Sequence, residues 1–182
     1  IPGSEVVHHI IAYASDPDAE YISEIDENAD LEGSDEEELR GRLMLGGLAP
    51  GTDPGYYPDG FAFPIKKGAE MTFAMHYHKE AGPGTGVYDD STMAMKFATE
   101  KPKHSINVTT IAHGAFEIPP NAKNWVVSGA KTFEEDILLL NLFPHTHLRG
   151  VASNYTAFYP DGTSELLLET PNYDFNWQEY YY

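Results

Sequence analysis

The chain has 182 residues, no cysteine, and 29 acidic against 11 basic side chains, which gives a formal net charge of −18 at pH 7. Such a polyanion is repelled by nucleic acid and by anionic membrane surfaces, so neither is expected as a partner. The lack of cysteine excludes disulfides, zinc–thiolate sites and thiol nucleophiles. No run of about 18 apolar residues is present, so no membrane span is predicted.

The first 102 residues predict an N-terminal β domain. Residues 6–13 (VVHHIIAY) are typical of a buried strand, and His8 and His9 lie at its centre. Residues 16–38 are acidic and predict a long solvated loop. A calcium loop is the alternative there, but the acidic spacing does not match an EF-hand.

The alternation in residues 70–78 predicts a half-buried strand with one face on a core. The face expected on the core carries Met71, Phe73, Met75 and Tyr77, and the opposite face carries Thr72, Ala74, His76 and His78.

Residues 103–182 predict a second β domain, because short strand patterns alternate with turn residues and no helical period is sustained. A further strand is predicted at 93–98, before the domain boundary. In the second domain, strands are predicted at 106–112, 115–118, 124–128, 136–143, 152–159 and 164–169. The sequence Pro160-Asp161-Gly162 between the last two is typical of a hairpin turn. The predicted fold is therefore all-β, with two antiparallel, jelly-roll-like β-sandwich domains side by side (1–102 and 103–182). We expect the second sandwich to lack its last strands. Because the chain also opens at Ile1, we expect it to be a piece of a longer protein.

Six of the 8 histidines fall in three close pairs, and this clustering indicates metal ligation. The pairs are His8-His9, His76-x-His78 and His145-x-His147. Histidines two apart on a strand share a face and can grip one ion, although such short patterns also occur on solvated strands. His104 and His113 stand alone and are interpreted as surface or packing residues.

Adjacent histidines pose a geometric problem, because His8 and His9 cannot both lie flat on one face of a regular strand. A shared ion therefore requires a strand end, a bulge, or ligation through Nδ1 of one ring and Nε2 of the other. Imidazoles without thiolate suit copper or zinc better than calcium or magnesium. Acid should release the metal, because only the neutral ring ligates.

The order of these pairs resembles the copper type II, ascorbate-dependent monooxygenases, which include the peptidylglycine α-hydroxylating and dopamine β-monooxygenases. The resemblance extends over residues 45–78 (LGGLAPG to MHYH) and 116–150 (FEIPP to FPHTHLRG). Residues 172–178 (NYDFNWQ) resemble bacterial members of that family.

The resemblance implies two mononuclear copper sites, one in each sandwich and facing each other across a cleft. His8, His9 and His76 would hold the electron-transferring copper, and His145 and His147 would hold the catalytic one. His78 is a candidate to orient a ligand imidazole. The implied reaction hydroxylates a C–H bond of a small-molecule substrate with O2 and ascorbate or another one-electron reductant, in a secreted or periplasmic protein.

Two departures from the family pattern narrow these expectations. A methionine completes the second site in the family, but the five methionines here all precede residue 96, so we expect that ligand beyond Tyr182. If it is absent, catalysis at that site is lost. The peptide-processing enzymes carry an arginine where this chain has Phe143, so peptide amidation is not expected.

Two other functions remain open from the residues alone. The first is a non-catalytic copper-binding module with a structural or interaction role. The second is a zinc hydrolase that uses the His145-x-His147 pair.

Overall fold

The computed structural model describes residues 6–17, 42–49, 52, 55–78, 86–113 and 115–182. These residues form seven strands and no helix, which confirms the all-β prediction at this level. The strands are β1 (Val7–Ser15), β2 (Arg42–Leu48), β3 (Phe61–Ala62), β4 (Glu70–Tyr77), β5 (His104–Ser105), β6 (Ser153–Phe158) and β7 (Ser164–Thr170). Within these ranges there is accordingly no helix that could span a membrane.

The largest sheet has the strand order β2-β1-β4, with β1 in its centre. Alternate residues of β1 are buried, as expected of a central strand with one face on a core. Ala12 and Ala14 on β1 pack with Leu45 of β2, and Phe63 and Met71 are among the side chains that surround them. This core lies toward the end of β1 that is opposite to His8 and His9.

The predicted core face of β4 is only partly buried. Met71, at the beginning of the strand, packs against the core. Phe73 is 44% exposed and Tyr77 is 51% exposed, so the prediction was wrong for these two residues. The reason is the position of the core: β1 and β4 are antiparallel with Ala14 opposite Met71, so the later residues of β4 run away from it.

The predicted hairpin in the second half is confirmed. β6 and β7 are antiparallel, and Gly162 in the turn has a φ of 85°, which glycine adopts without strain. The Asp161 carboxylate accepts hydrogen bonds from the hydroxyl and the backbone N–H of Thr163, which lowers the pKa of that carboxyl. This is the local chemistry that makes Pro-Asp-Gly a turn signal.

Five other strand predictions are not matched by strands in the structure. Residues 93–98, 115–118, 124–128 and 136–143 contain no strand, and 106–112 begins directly after β5 without one. A strand exists only where a neighbour completes its hydrogen-bond ladder, and alternation in the sequence does not supply that neighbour. β5 instead pairs in parallel with β3 over two residues. The sandwich arrangement therefore stays a prediction.

The chain divides into two compact units. The first comprises Ile1–Gly47 and Gly55–Thr132, and the second comprises Leu48–Pro54 and Phe133–Tyr182. The predicted division at 102/103 concerned sandwich domains and also stays a prediction. Most of the predicted acidic loop at 16–38 lies outside the described residues; at its start, Asp16 forms an ion pair with Lys66.

Candidate metal centres

The first candidate centre is built by a β-bulge at His8. Val7 pairs with Tyr77 and His9 pairs with His76, so His8 is the extra residue on β1. The bulge turns both adjacent imidazoles toward the same place, which a regular strand could not do. This is one of the solutions that the sequence left open.

Three imidazole nitrogens converge at this bulge. The Nδ1 atom of His9 lies 3.3 Å from Nδ1 of His8 and 3.1 Å from Nδ1 of His76. Nitrogens bound at about 2.0–2.1 Å to one ion at tetrahedral angles lie about 3.3–3.4 Å apart. Each of the three rings offers a nitrogen within 4.8 Å of the other two, so this group could hold a metal ion.

The surroundings of the three rings differ along the two strands. His8 is buried, His9 is half-buried, and His76 lies in the exposed end of β4. A ring nitrogen carries either a proton or one lone pair, so Nδ1 of His9 cannot serve both neighbours in the same role. A cation that accepts all three lone pairs resolves that conflict, and its site would be open on the His76 side.

The remaining histidines of the first unit are arranged differently. The ring of His78 lies 6.4 Å from that of His8, measured between centroids, so His78 is beside the group without being part of it. His104 stacks on Phe61 at 4.6 Å, and His113 Nδ1 lies 2.9 Å from the Ser128 carbonyl oxygen, to which it donates. These contacts agree with the interpretation of His104 and His113 as packing and surface residues.

The second candidate centre contains His145 and His147, which the structure brings side by side. Their ring centroids are 5.3 Å apart and their planes are nearly perpendicular, at 83°. Two imidazoles that ligate one ion at about 2.0–2.1 Å and at tetrahedral angles have centroids about 5 Å apart. The pair is therefore spaced to share an ion, and both side chains are exposed.

The histidine segment of the second unit, residues 142–147, lies outside strands β1–β7 and is held by contacts with residues 173–181. The backbones of Leu142 and Tyr181 exchange two hydrogen bonds of 2.8 Å. The Phe143 ring packs on Tyr180, with centroids 4.6 Å apart. The Tyr173 hydroxyl lies between the backbone N–H and the backbone carbonyl of Thr146 and bonds to both.

Two further groups fix this segment. Tyr155 on β6 donates a hydrogen bond of 3.1 Å to the Phe143 carbonyl, and burial raises the pKa of the Tyr155 phenol. The turn after the histidines ends at Gly150, whose N–H donates a hydrogen bond of 2.8 Å to the His147 carbonyl. A Cβ at position 150 would collide with the Thr146 side chain and approach the Tyr173 ring to 2.9 Å.

The Gln178 side chain contacts the His145 ring. Its Oε1 lies 2.7 Å from Nδ1 of His145, and its Nε2 donates to the Phe175 carbonyl at 2.8 Å. Sequence reasoning singled out residues 172–178 for their resemblance to one family but gave Gln178 no role. The only available signal was a lone glutamine, the single one in the chain, in an aromatic-rich segment.

Comparison with family models, with curated proteins and with solved structures finds no match for this chain. The two histidine groups themselves are therefore the basis for assigning a function.

Proposed function

We propose that the protein is a copper-dependent monooxygenase that hydroxylates a substrate C–H bond with O2 and an external one-electron reductant. The observation that carries the proposal is the convergence of His8, His9 and His76 on one point, together with a separate imidazole pair at His145 and His147. Imidazole ligands without thiolate suit copper or zinc better than calcium or magnesium. The family resemblance of the histidine motifs supports the same assignment.

The residues of the chain would divide the work between the two sites. His8, His9 and His76 would hold one copper in a fixed, fully histidine environment and so set its redox potential. His145 and His147 would hold the second copper at an exposed position that small molecules can reach. Bound copper would supply electron transfer at the first site and oxygen activation at the second. We further propose a secreted or periplasmic location, on the resemblance alone.

Substitution of His145 by alanine tests the assignment of two separate sites. We expect the His145→Ala variant to lose hydroxylation and to retain one copper per chain, because the first site shares no ligand with the second. Copper content by mass spectrometry and reductant-dependent O2 uptake provide the measurements. Retention of two coppers in this variant, with wild-type O2 uptake, would contradict the proposal. His113→Ala serves as the matched control and should leave both readouts unchanged.

The zinc and non-catalytic alternatives give different results in the same assays. A zinc hydrolase would bind a colourless metal and turn over an ester or amide without reductant or O2. A structural copper module would bind copper at the first site yet consume no O2 in the presence of ascorbate. A chain that takes up two coppers and consumes O2 only with reductant supports the monooxygenase.

A further inference from the structure

Gln178 is a polar side chain in an unusually buried position, since only 2% of its surface is exposed. A primary amide is removed from water at a cost unless its donors and acceptor find partners. Gln178 has two such partners, the Phe175 carbonyl for its N–H2 group and Nδ1 of His145 for its oxygen.

These two contacts fix which way the amide points. The Phe175 carbonyl can only accept a hydrogen bond, so it must face the amide nitrogen of Gln178. The amide oxygen then faces His145 and can only accept, so Nδ1 of His145 must be the protonated nitrogen. In a neutral imidazole the lone pair then belongs to Nε2.

The backbone around Gln178 holds that amide in place. A tight turn joins Asp174 to Trp177, and the Trp177 N–H donates a hydrogen bond of 3.0 Å to the Asp174 carbonyl. The Asp174 carboxylate also accepts the N–H of Asn176 at 2.9 Å. Beyond the turn, the backbone bridge between Leu142 and Tyr181 anchors the chain on the other side of Gln178. Backbone hydrogen bonds therefore fix the chain both before and after Gln178.

We propose that Gln178 is a positioning residue of the second metal site, which holds His145 as the Nδ1–H tautomer and directs Nε2 toward the ion. The proposal builds on the proposed function, because it concerns the same histidine pair. A hydrogen bond to the non-ligating nitrogen fixes ring orientation and makes the ligating nitrogen more basic. Gln178 would do so from the buried side of the segment, while the His145 ring itself is exposed.

The first test reads the tautomer directly in the metal-free protein, by the 15N chemical shifts of the histidine rings. We expect His145 to be the Nδ1–H tautomer in the wild type and to lose that preference in Gln178→Leu, which keeps the volume but removes the acceptor. His113 is an internal control, because its Nδ1 donates to the Ser128 carbonyl and should be unaffected. An Nε2–H tautomer at His145 in the wild type would overturn the proposal, and this measurement needs no variant to fold.

The second test measures copper binding at the two sites by titration. Gln178→Leu should weaken binding at the second site by about 10- to 100-fold and leave the first site unchanged. Gln178→Glu, which restores an acceptor for the His145 N–H, should recover most of that affinity. Loss of affinity at both sites, or at neither, would count against a positioning role.

The outcomes separate this proposal from the proposed function. A wild-type protein that binds no metal at His145 and His147 would refute the monooxygenase. A tautomer change at His145 in Gln178→Leu would still support the role of Gln178 in that protein. Conversely, two bound coppers with no tautomer preference at His145 would support the function and refute the role of Gln178.

Discussion

At the scale of single residues, the turn after the second histidine pair is packed around a glycine, Gly150. The turn after His147 leaves no room for a side chain at position 150, where Thr146 and Tyr173 are already in contact distance of the missing Cβ. The family resemblance placed Gly150 at the end of a motif, but it did not show which neighbours require it. That requirement comes first from the Thr146 side chain and then from Tyr173, whose position no local pattern reveals.

Gly150→Ala tests this packing. The added methyl group must displace Thr146 or Tyr173, so we expect a loss of about 1–3 kcal/mol in the free energy of unfolding. We also expect weaker metal binding at the second pair, because Tyr173 holds Thr146 between the two histidines. Denaturant unfolding and copper titration give the two readouts. Gly86→Ala is the matched control, because a Cβ at Gly86 meets nothing within 4 Å.

The Tyr155 phenol should make the stability of the histidine segment, residues 142–147, depend on pH in the alkaline range. Burial raises the pKa of this phenol above its usual value of 10.0, so the fold prefers the neutral, donating form. The contribution of its hydrogen bond to the Phe143 carbonyl is complete below pH 10.0 and is lost as the pH rises through the higher pKa of the folded state.

Tyr155→Phe measures that contribution. We expect the variant to be less stable than the wild type by about 0.5–1.5 kcal/mol at neutral pH, and the difference to shrink above pH 10.0. Denaturant unfolding across pH 7–11 provides the comparison. The control is Tyr88→Phe, because the Tyr88 side chain is 97% exposed. It should leave the free energy of unfolding unchanged both at neutral pH and above pH 10.0. A difference that stays constant up to pH 11 would show that the Tyr155 phenol does not titrate as argued.

At the scale of elements, the first site is a property of two paired strands. The adjacency of His8 and His9 predicted a strand end, a bulge, or ligation through different ring nitrogens. The pairing of β1 with β4 is what places a bulge there. The same limit explains why five predicted strands are absent from the described residues. Alternation indicates that residues 93–98 or 124–128 suit a strand, yet only a neighbouring strand makes one. The β6–β7 hairpin was predicted because its turn and both its strands are contiguous in sequence.

A metal bound at the first site should cross-link β1 and β4 and so stabilise the folded state, because its ligands lie on both strands. Ligand at 100 times its dissociation constant stabilises the folded state by about 2.7 kcal/mol. We expect zinc(II), which has no redox chemistry, to raise the melting temperature of His145→Ala, where only the first site is intact. Adding His76→Ala should abolish that increase, because the ligand on β4 is gone.

The control for this measurement is His104→Ala in the same His145→Ala background. His104 stacks on Phe61 and lies outside the group of three, so the zinc-dependent increase should persist. An increase that survives His76→Ala would place the stabilising ion elsewhere in the chain.

At the scale of the whole molecule, composition bears mainly on which partners are expected. A net charge of −18 repels polyanions and raises the concentration of cations around the chain, which favours metal loading. The lack of a sustained helical period predicted the absence of helices from the described residues. It could not show how strands pair over long separations, so the predicted sandwiches remain untested. The contact between His145 and Gln178 was hidden for the same reason, since 33 residues separate the two.

Because the bulge at His8 brings the three histidines together only in one register of β1 and β4, an ion bound there would report on that register. If β1 slid by a single residue along β4, His9 would no longer sit opposite His76, and the affected side chains would turn to the other face of the sheet. The ligand field of a copper ion held there would change with that slip. Its visible absorption could therefore time the moment during refolding at which the two strands reach their final alignment.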